Sequence, residues 1–138
     1  MEFSRRETLA LGLGAAVATV LPFRVNAAAD DRIAAFTGGA DIAEGGVALT
    51  APEIAENGNT VPVSVAAEGA TAILVLATGN PEPGVATFNF GPGAARQSAS
   101  TRIRLAGTQD VVAIAKMADG SFARASATVK VTIGGCGG

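Results

Sequence analysis

The sequence contains no histidine, no tyrosine and no tryptophan, and only one cysteine, Cys136, among its 138 residues. Without histidine, the His-containing zinc sites, the Ser-His-Asp and Cys-His nucleophile arrangements and the commonest general base are all excluded. A lone cysteine excludes a disulfide within the chain. No catalytic residue, metal-ligand set or cofactor is therefore expected, and the chain does not read as an enzyme. Charge is scarce as well: ionisable Asp, Glu, Lys and Arg make up 16% of the residues and balance to −2. With no basic patch and six Phe as the whole aromatic complement, nothing in the composition matches a nucleic-acid footprint. The apolar run Leu9 to Leu21 has thirteen residues, too few to span a bilayer.

What is present begins with an address. Ser4-Arg5-Arg6-Glu7-Thr8-Leu9 carries the Arg5-Arg6 pair of a twin-arginine export signal, and the run that follows is Gly-rich and only moderately hydrophobic, as that route prefers. Thr8 stands where such signals often carry Phe. Small residues then offer two cleavage options, Val25-Asn26-Ala27 and Ala27-Ala28-Ala29, so the mature N-terminus is expected between Ala28 and Asp30. The expected organisation is a cleaved signal over 1–29, one domain over 30–133 and a short arm over 134–138, with the mature protein in the periplasm and no membrane attachment.

The whole sequence is 49% hydrophobic, enough for one ordinary core built from Val, Ile, Leu and Ala. Asp30-Asp31-Arg32-Ile33-Ala34-Ala35-Phe36 predicts a short helix, stopped at Thr37-Gly38-Gly39. From Gly46 onward the pattern changes. Seven strands are predicted: Val47–Leu49, Val61–Val65, Ala72–Ala77, Val85–Phe90, Ser100–Leu105, Asp110–Met117 and Phe122–Ile133. Turn chemistry such as Asn57-Gly58-Asn59 and Gly79-Asn80-Pro81 separates them. The expected fold is all-β, a seven-stranded antiparallel immunoglobulin-like β-sandwich with a short N-terminal helix. Alternation puts Ile103 and Leu105 on one face and Arg102 and Arg104 on the other, where the two cations either meet a partner or simply face water. Ile73-Leu74-Val75-Leu76 is apolar on both faces, so its second side needs a cover. The helix or another protein could supply it, and in so small a sandwich the expectation leans to a partner.

The chain ends in Gly134-Gly135-Cys136-Gly137-Gly138. Ile133 is the last side chain able to anchor in a sheet, so the thiol is expected on a flexible arm with about 10 Å of reach beyond the body. A single thiol in an exported protein implies pairing between molecules or a reactive group. Its neighbours do not activate it: the nearest cation in sequence is Lys130, and the terminal carboxylate of Gly138 opposes ionisation. The pattern points to a carried thiol that reacts inside a partner's site.

The signal, the segments "EIAENGNTVPV" and "STRIRLAGTQDVVAIAKMADGSF", and the ending "VKVTIGGCGG" together resemble the SoxY family, the sulfur-carrier subunits of the bacterial thiosulfate-oxidising Sox system. The resemblance covers essentially the whole chain. It implies that sulfur intermediates ride covalently on Cys136 as a swinging arm, with Gly134, Gly135, Gly137 and Gly138 as its tether. It implies a SoxYZ complex with the subunit SoxZ, which lacks a signal and is exported with its partner. It also implies visits to the haem enzyme SoxAX, which conjugates thiosulfate to the thiol, to SoxB, which hydrolyses off sulfate, and to the sulfane dehydrogenase SoxCD.

The residues leave other readings beside this one. A plain immunoglobulin-like interaction module would use the cysteine only for a mixed disulfide with a partner. A ubiquitin-like sulfur carrier would also end in Gly-Gly, but the export signal and the strand pattern argue against it. A redox enzyme lacks a resolving partner for its thiol. If the glycines serve the arm, Gly135→Val should leave folding intact and impair turnover with several partner enzymes at once, because it adds bulk and stiffness to the tether. Steady-state assays with each enzyme check this, and normal turnover would show the glycines to be dispensable.

Overall fold

A computed structural model describes residues 24–132; the export-signal residues Arg5 and Arg6 and the arm from Gly134 to Gly138 lie outside the described residues. Among the described residues a helix is followed by strands, in the order α1 (Arg24–Thr37), β1 (Ile42–Glu44), β2 (Ala48–Thr50), β3 (Ile54–Ala55), β4 (Val61–Ala66), β5 (Ala70–Ala77), β6 (Gly84–Asn89), β7 (Ser98–Ile103), β8 (Gln109–Met117) and β9 (Phe122–Val131). The strands form two sheets. The larger has the order β1-β9-β8-β5-β6, with β3 also pairing β9, and the smaller has the order β2-β4-β7.

The helix stops where the sequence predicts. Gly38 and Gly39 take φ of +67° and +83°, a region in which any residue with a Cβ is strained, and Thr37 turns its hydroxyl back onto the Ile33 carbonyl at 2.9 Å. Its start is earlier than predicted: the helix begins at Arg24 and runs across the 29/30 boundary expected for the export signal.

The all-β sandwich class agrees with the sequence reading, and all seven predicted strands are present within two residues at each described end. The count does not agree, since β1 and β3 bring the total to nine. Nor is the pairing wholly antiparallel, because both extra strands run parallel to β9, with Ile42↔Phe122 and Ile54↔Lys130 in register. A two-residue element such as β3 is too short for the alternation of faces that announces a strand, and β1 has three residues before the turn at Gly45-Gly46. They exist because the ten-residue β9 offers a free edge beyond β8.

Val61, Val63, Val65, Ile103 and Leu105 from the smaller-sheet side meet Ile73, Val75, Val111, Ala113, Ala115 and Val129 from the larger, and every one of them is buried. The alternation read at β7 holds: Ile103 and Leu105 point into this core, while Arg102 and Arg104 are exposed. Phe88 and Phe90 also share a face and pack against the core.

A second apolar cluster lies on the outer face of the larger sheet. It holds Leu74, Leu76, Val112, Ile114 and Phe122, with Ile33 and Phe36 of α1 and Ile42 of β1 packed against it. Phe36 meets Phe122 edge to face with ring centroids 5.9 Å apart. The expectation that a partner covers the second face of Ile73–Leu76 is therefore corrected: the chain's own helix covers Leu74 and Leu76. Ile33 and Phe36, three apart, fall on one helical face at the spacing that a sheet surface accepts.

At the β8–β9 turn, the Asp119 carboxylate accepts hydrogen bonds from the Ser121 hydroxyl at 2.5 Å and the Ser121 amide at 2.8 Å, which hold its pKa below the ordinary carboxylate value. A depressed pKa stabilises the fold above the unfolded-state value, and that contribution is lost as pH falls through the folded one.

Leu76 is fully buried in the second cluster. Leu76→Ala should cost about 2–5 kcal/mol of unfolding free energy. Urea denaturation checks this, and a cost below 1 kcal/mol would mean that the helix side of the sheet is not a packed core.

Candidate functional site: the root of the arm

The thiol's position depends on where β9 ends, and that end is held on both edges. On one side β3 runs parallel to it: the Lys130 amide donates to the Glu53 carbonyl at 2.9 Å and the Thr132 amide to the Ala55 carbonyl at 3.0 Å. On the other side the Val131 amide donates to the Thr108 hydroxyl at 3.0 Å. From below, Val129 is fully buried and Val131 packs against the main core. The last described residue of the strand is thus a fixed launching point, and Cys136, four residues on, is within about 14 Å of Thr132 at full extension.

Three loops close this end of the sandwich and are tied together by one polar network. The Gln109 amide nitrogen donates to the Asn80 side-chain oxygen at 2.9 Å and to the Gly107 carbonyl at 3.0 Å, while its own oxygen accepts from the Gly79 amide at 2.9 Å. Asn80 in turn accepts from the Ala106 amide at 2.9 Å and donates to the Arg104 carbonyl at 2.8 Å. Gln109 is buried, which is tolerable only because both ends of its amide are satisfied. Position 79 has to be glycine, since a Cβ there would come within 2.9 Å of the Gln109 Cβ. The Leu105 amide donates to the Gly58 carbonyl at 2.7 Å, joining the 104–108 loop to the turn after β3.

The exposed side chains around the root are of mixed sign: Glu53 and Glu56 flank β3, Lys130 lies on β9, and Arg102 and Arg104 close β7. Arg102 reaches the Thr60 hydroxyl at 3.5 Å. Ile54, on β3, is 58% exposed beside them and is the large hydrophobic left in solvent among the described residues.

The residues assigned to the site by sequence, Gly134, Gly135, Cys136, Gly137 and Gly138, lie outside the described residues; what the structure supplies is their anchor. Sequence reasoning missed the parts that build it. Asn80 was legible only as a turn residue, Thr108 only as loop, and Gln109 not at all, because a polar residue at a strand's edge carries no periodic signal.

The architecture defines the class first: a two-sheet β-sandwich in which a helix covers one outer face. Superoxide reductase (neelaredoxin) from Ignicoccus hospitalis shares this fold with a TM-score of 0.56, 18% identity, and coverage of 63% of this chain and 80% of that one. A putative superoxide reductase from Thermotoga maritima does so at 0.53 and 16%, over 71% and 91%. At such identities the likeness is one of fold alone. The sulfur carrier protein SoxY from Chlorobium limicola f thiosulfatophilum is much nearer, with a TM-score of 0.68 and 41% identity over 78% of this chain and 98% of that one. The family profile of the sulfur oxidation protein SoxY matches residues 33–136. The chain therefore belongs to the SoxY family. No curated protein matches it.

Thr108→Val keeps the shape of the side chain and removes the acceptor for the Val131 amide. Hydrogen exchange at Val131 should accelerate while the Lys130 and Thr132 amides, bonded to β3, keep their protection. Unchanged protection at Val131 would show that Thr108 does not hold the root.

Proposed function

We propose that this protein is a non-catalytic sulfur carrier of thiosulfate oxidation, holding intermediates covalently on Cys136 and presenting them to partner enzymes. The observation that carries this reading is the extent of the family match, which runs through the described body and ends on Cys136, the chain's single thiol. The carrier role of the 41% identical protein from Chlorobium limicola supports it.

The chemistry balances without a catalytic group on this chain. Conjugation joins the Cys136 sulfur to the outer sulfur of thiosulfate, releasing the thiol proton and two electrons, and the haem enzyme SoxAX is the acceptor. Hydrolysis by SoxB then adds water across the sulfur–sulfonate bond, releasing sulfate and a proton and leaving a persulfide on Cys136. Oxidation of that sulfane sulfur falls to SoxCD. The carrier's contribution is reach and placement. A root held on both edges of β9 lets a docked enzyme take the arm into a cleft up to about 14 Å deep while the sandwich stays outside. Ordering the glycines costs about 1–2 kcal/mol each, which weakens every docking and favours release.

In the same reading Arg5 and Arg6 direct the chain through the twin-arginine route to the periplasm, in complex with SoxZ. The mature chain then works there without membrane attachment.

Intact mass of the protein isolated from cells grown on thiosulfate should show an adduct matching a thiosulfonate or sulfane species, and Cys136→Ser should remove both the adduct and thiosulfate-dependent respiration. A Cys136→Ser strain that still respires thiosulfate would sink the carrier reading and favour an interaction module.

A further inference from the structure

Two tripeptides near the end of the export signal satisfy the small-residue rule for signal cleavage. Val25-Asn26-Ala27 would place the cut before Ala28, and Ala27-Ala28-Ala29 would place it before Asp30. As sequence they are equivalent; the folded domain makes them unequal. Helix α1 runs through both, from Arg24 to Thr37. Ala27 is exposed and Ala28 half-buried, but Ala29 is only 3% exposed. With Ile33, Thr78, Asp110 and Val112 it lines the seam between the helix and the outer face of the larger sheet.

A peptidase takes its substrate as extended chain, so a helical bond is protected until the helix opens locally. Opening for a cut before Ala28 unwinds α1 through the exposed Ala27 and the half-buried Ala28. Opening for a cut before Asp30 must also draw Ala29 out of the seam and loosen the turn that carries Ile33, one of the two helix residues that cover the second apolar cluster. The twin-arginine route moves its cargo folded, so the peptidase meets this helix already docked.

We propose that the signal is removed between Ala27 and Ala28, and that the docked helix is what selects this bond over the one before Asp30. The inference rests on the export reading above. Water is added across the Ala27–Ala28 amide by the host's signal peptidase, leaving a carboxylate on Ala27 of the released signal and an ammonium on Ala28 of the mature chain. The product suits the fold. In the helix that starts at Arg24 the first turn contains no acidic residue. A helix that starts at Ala28 has Asp30 and Asp31 in its first turn, where carboxylates favour a helix N-terminus and offset the new ammonium. It also keeps the Ala29 methyl in the seam, which a cut before Asp30 would delete.

The full chain, expressed in a bacterium with a working twin-arginine route, is recovered from the periplasm and its N-terminus determined by intact mass and terminal sequencing. The expected N-terminus is Ala28. Ala27→Leu, at an exposed position where Leu suits a helix, puts a bulky residue immediately before the proposed bond and should stop processing. Val25→Arg puts a charge three residues before that bond and should do the same. For a cut before Asp30, Leu at position 27 is acceptable and position 25 is too distant to matter. A mature chain starting at Asp30, or normal processing of either variant, overturns the proposal and leaves the export reading standing. A full-length wild-type chain that is never processed or exported overturns both.

Discussion

The parallel pairing of β3 with the end of β9 is the constraint that holds the last described strand in place. Two backbone hydrogen bonds, from the Lys130 amide to Glu53 and from the Thr132 amide to Ala55, hold the strand a few residues short of the only thiol. Remove that pairing and β9 would leave β8 near Val129, with one edge unpaired and the chain beyond it fraying as strand ends do. Thr108 holds the opposite edge, and the Asn80–Gln109 network holds the loop that carries Thr108. A two-residue strand thus matters more to the end of β9 than its length suggests.

The rest of the sandwich supplies a packed base. Its larger sheet is buried on both faces, by the smaller sheet on one side and by α1 on the other, so β5 and β8 read as nearly continuous apolar runs. In a core with no Trp or Tyr, small aliphatic side chains provide most of this packing. Among the described residues the aromatic pair is Phe36 against Phe122, which pins the helix at the start of β9. Ion pairs add little: Arg32–Glu82 at 3.2 Å joins two exposed side chains, and such pairs are worth at most about 1 kcal/mol.

That construction fits a carrier. Histidine is missing from the whole chain, and the charges around the arm's root are exposed and of both signs, so the body offers the thiol no obvious means of activation. In the proposed function, a thiol that does not react unaided would be protected from the wrong reaction between enzymes, and each partner enzyme would supply its own activation.

By itself the sequence determined the fold class, seven of the nine described strands, the inward and outward faces of β7, the helix stop at Gly38-Gly39, and the lone cysteine after the last strand. These are local facts. Strand alternation repeats every two residues, and a turn is written in the few residues that make it. Only the tertiary structure decided that α1 covers Leu74 and Leu76, that β1 and β3 lie parallel along β9, and that Gln109 is the buried hub of the loops beside the arm. Each of these joins segments tens of residues apart. Elements as short as Ile54–Ala55, or a single polar side chain such as Gln109, have no period of their own to show in sequence, and they acquire a structure only from the longer strands they meet.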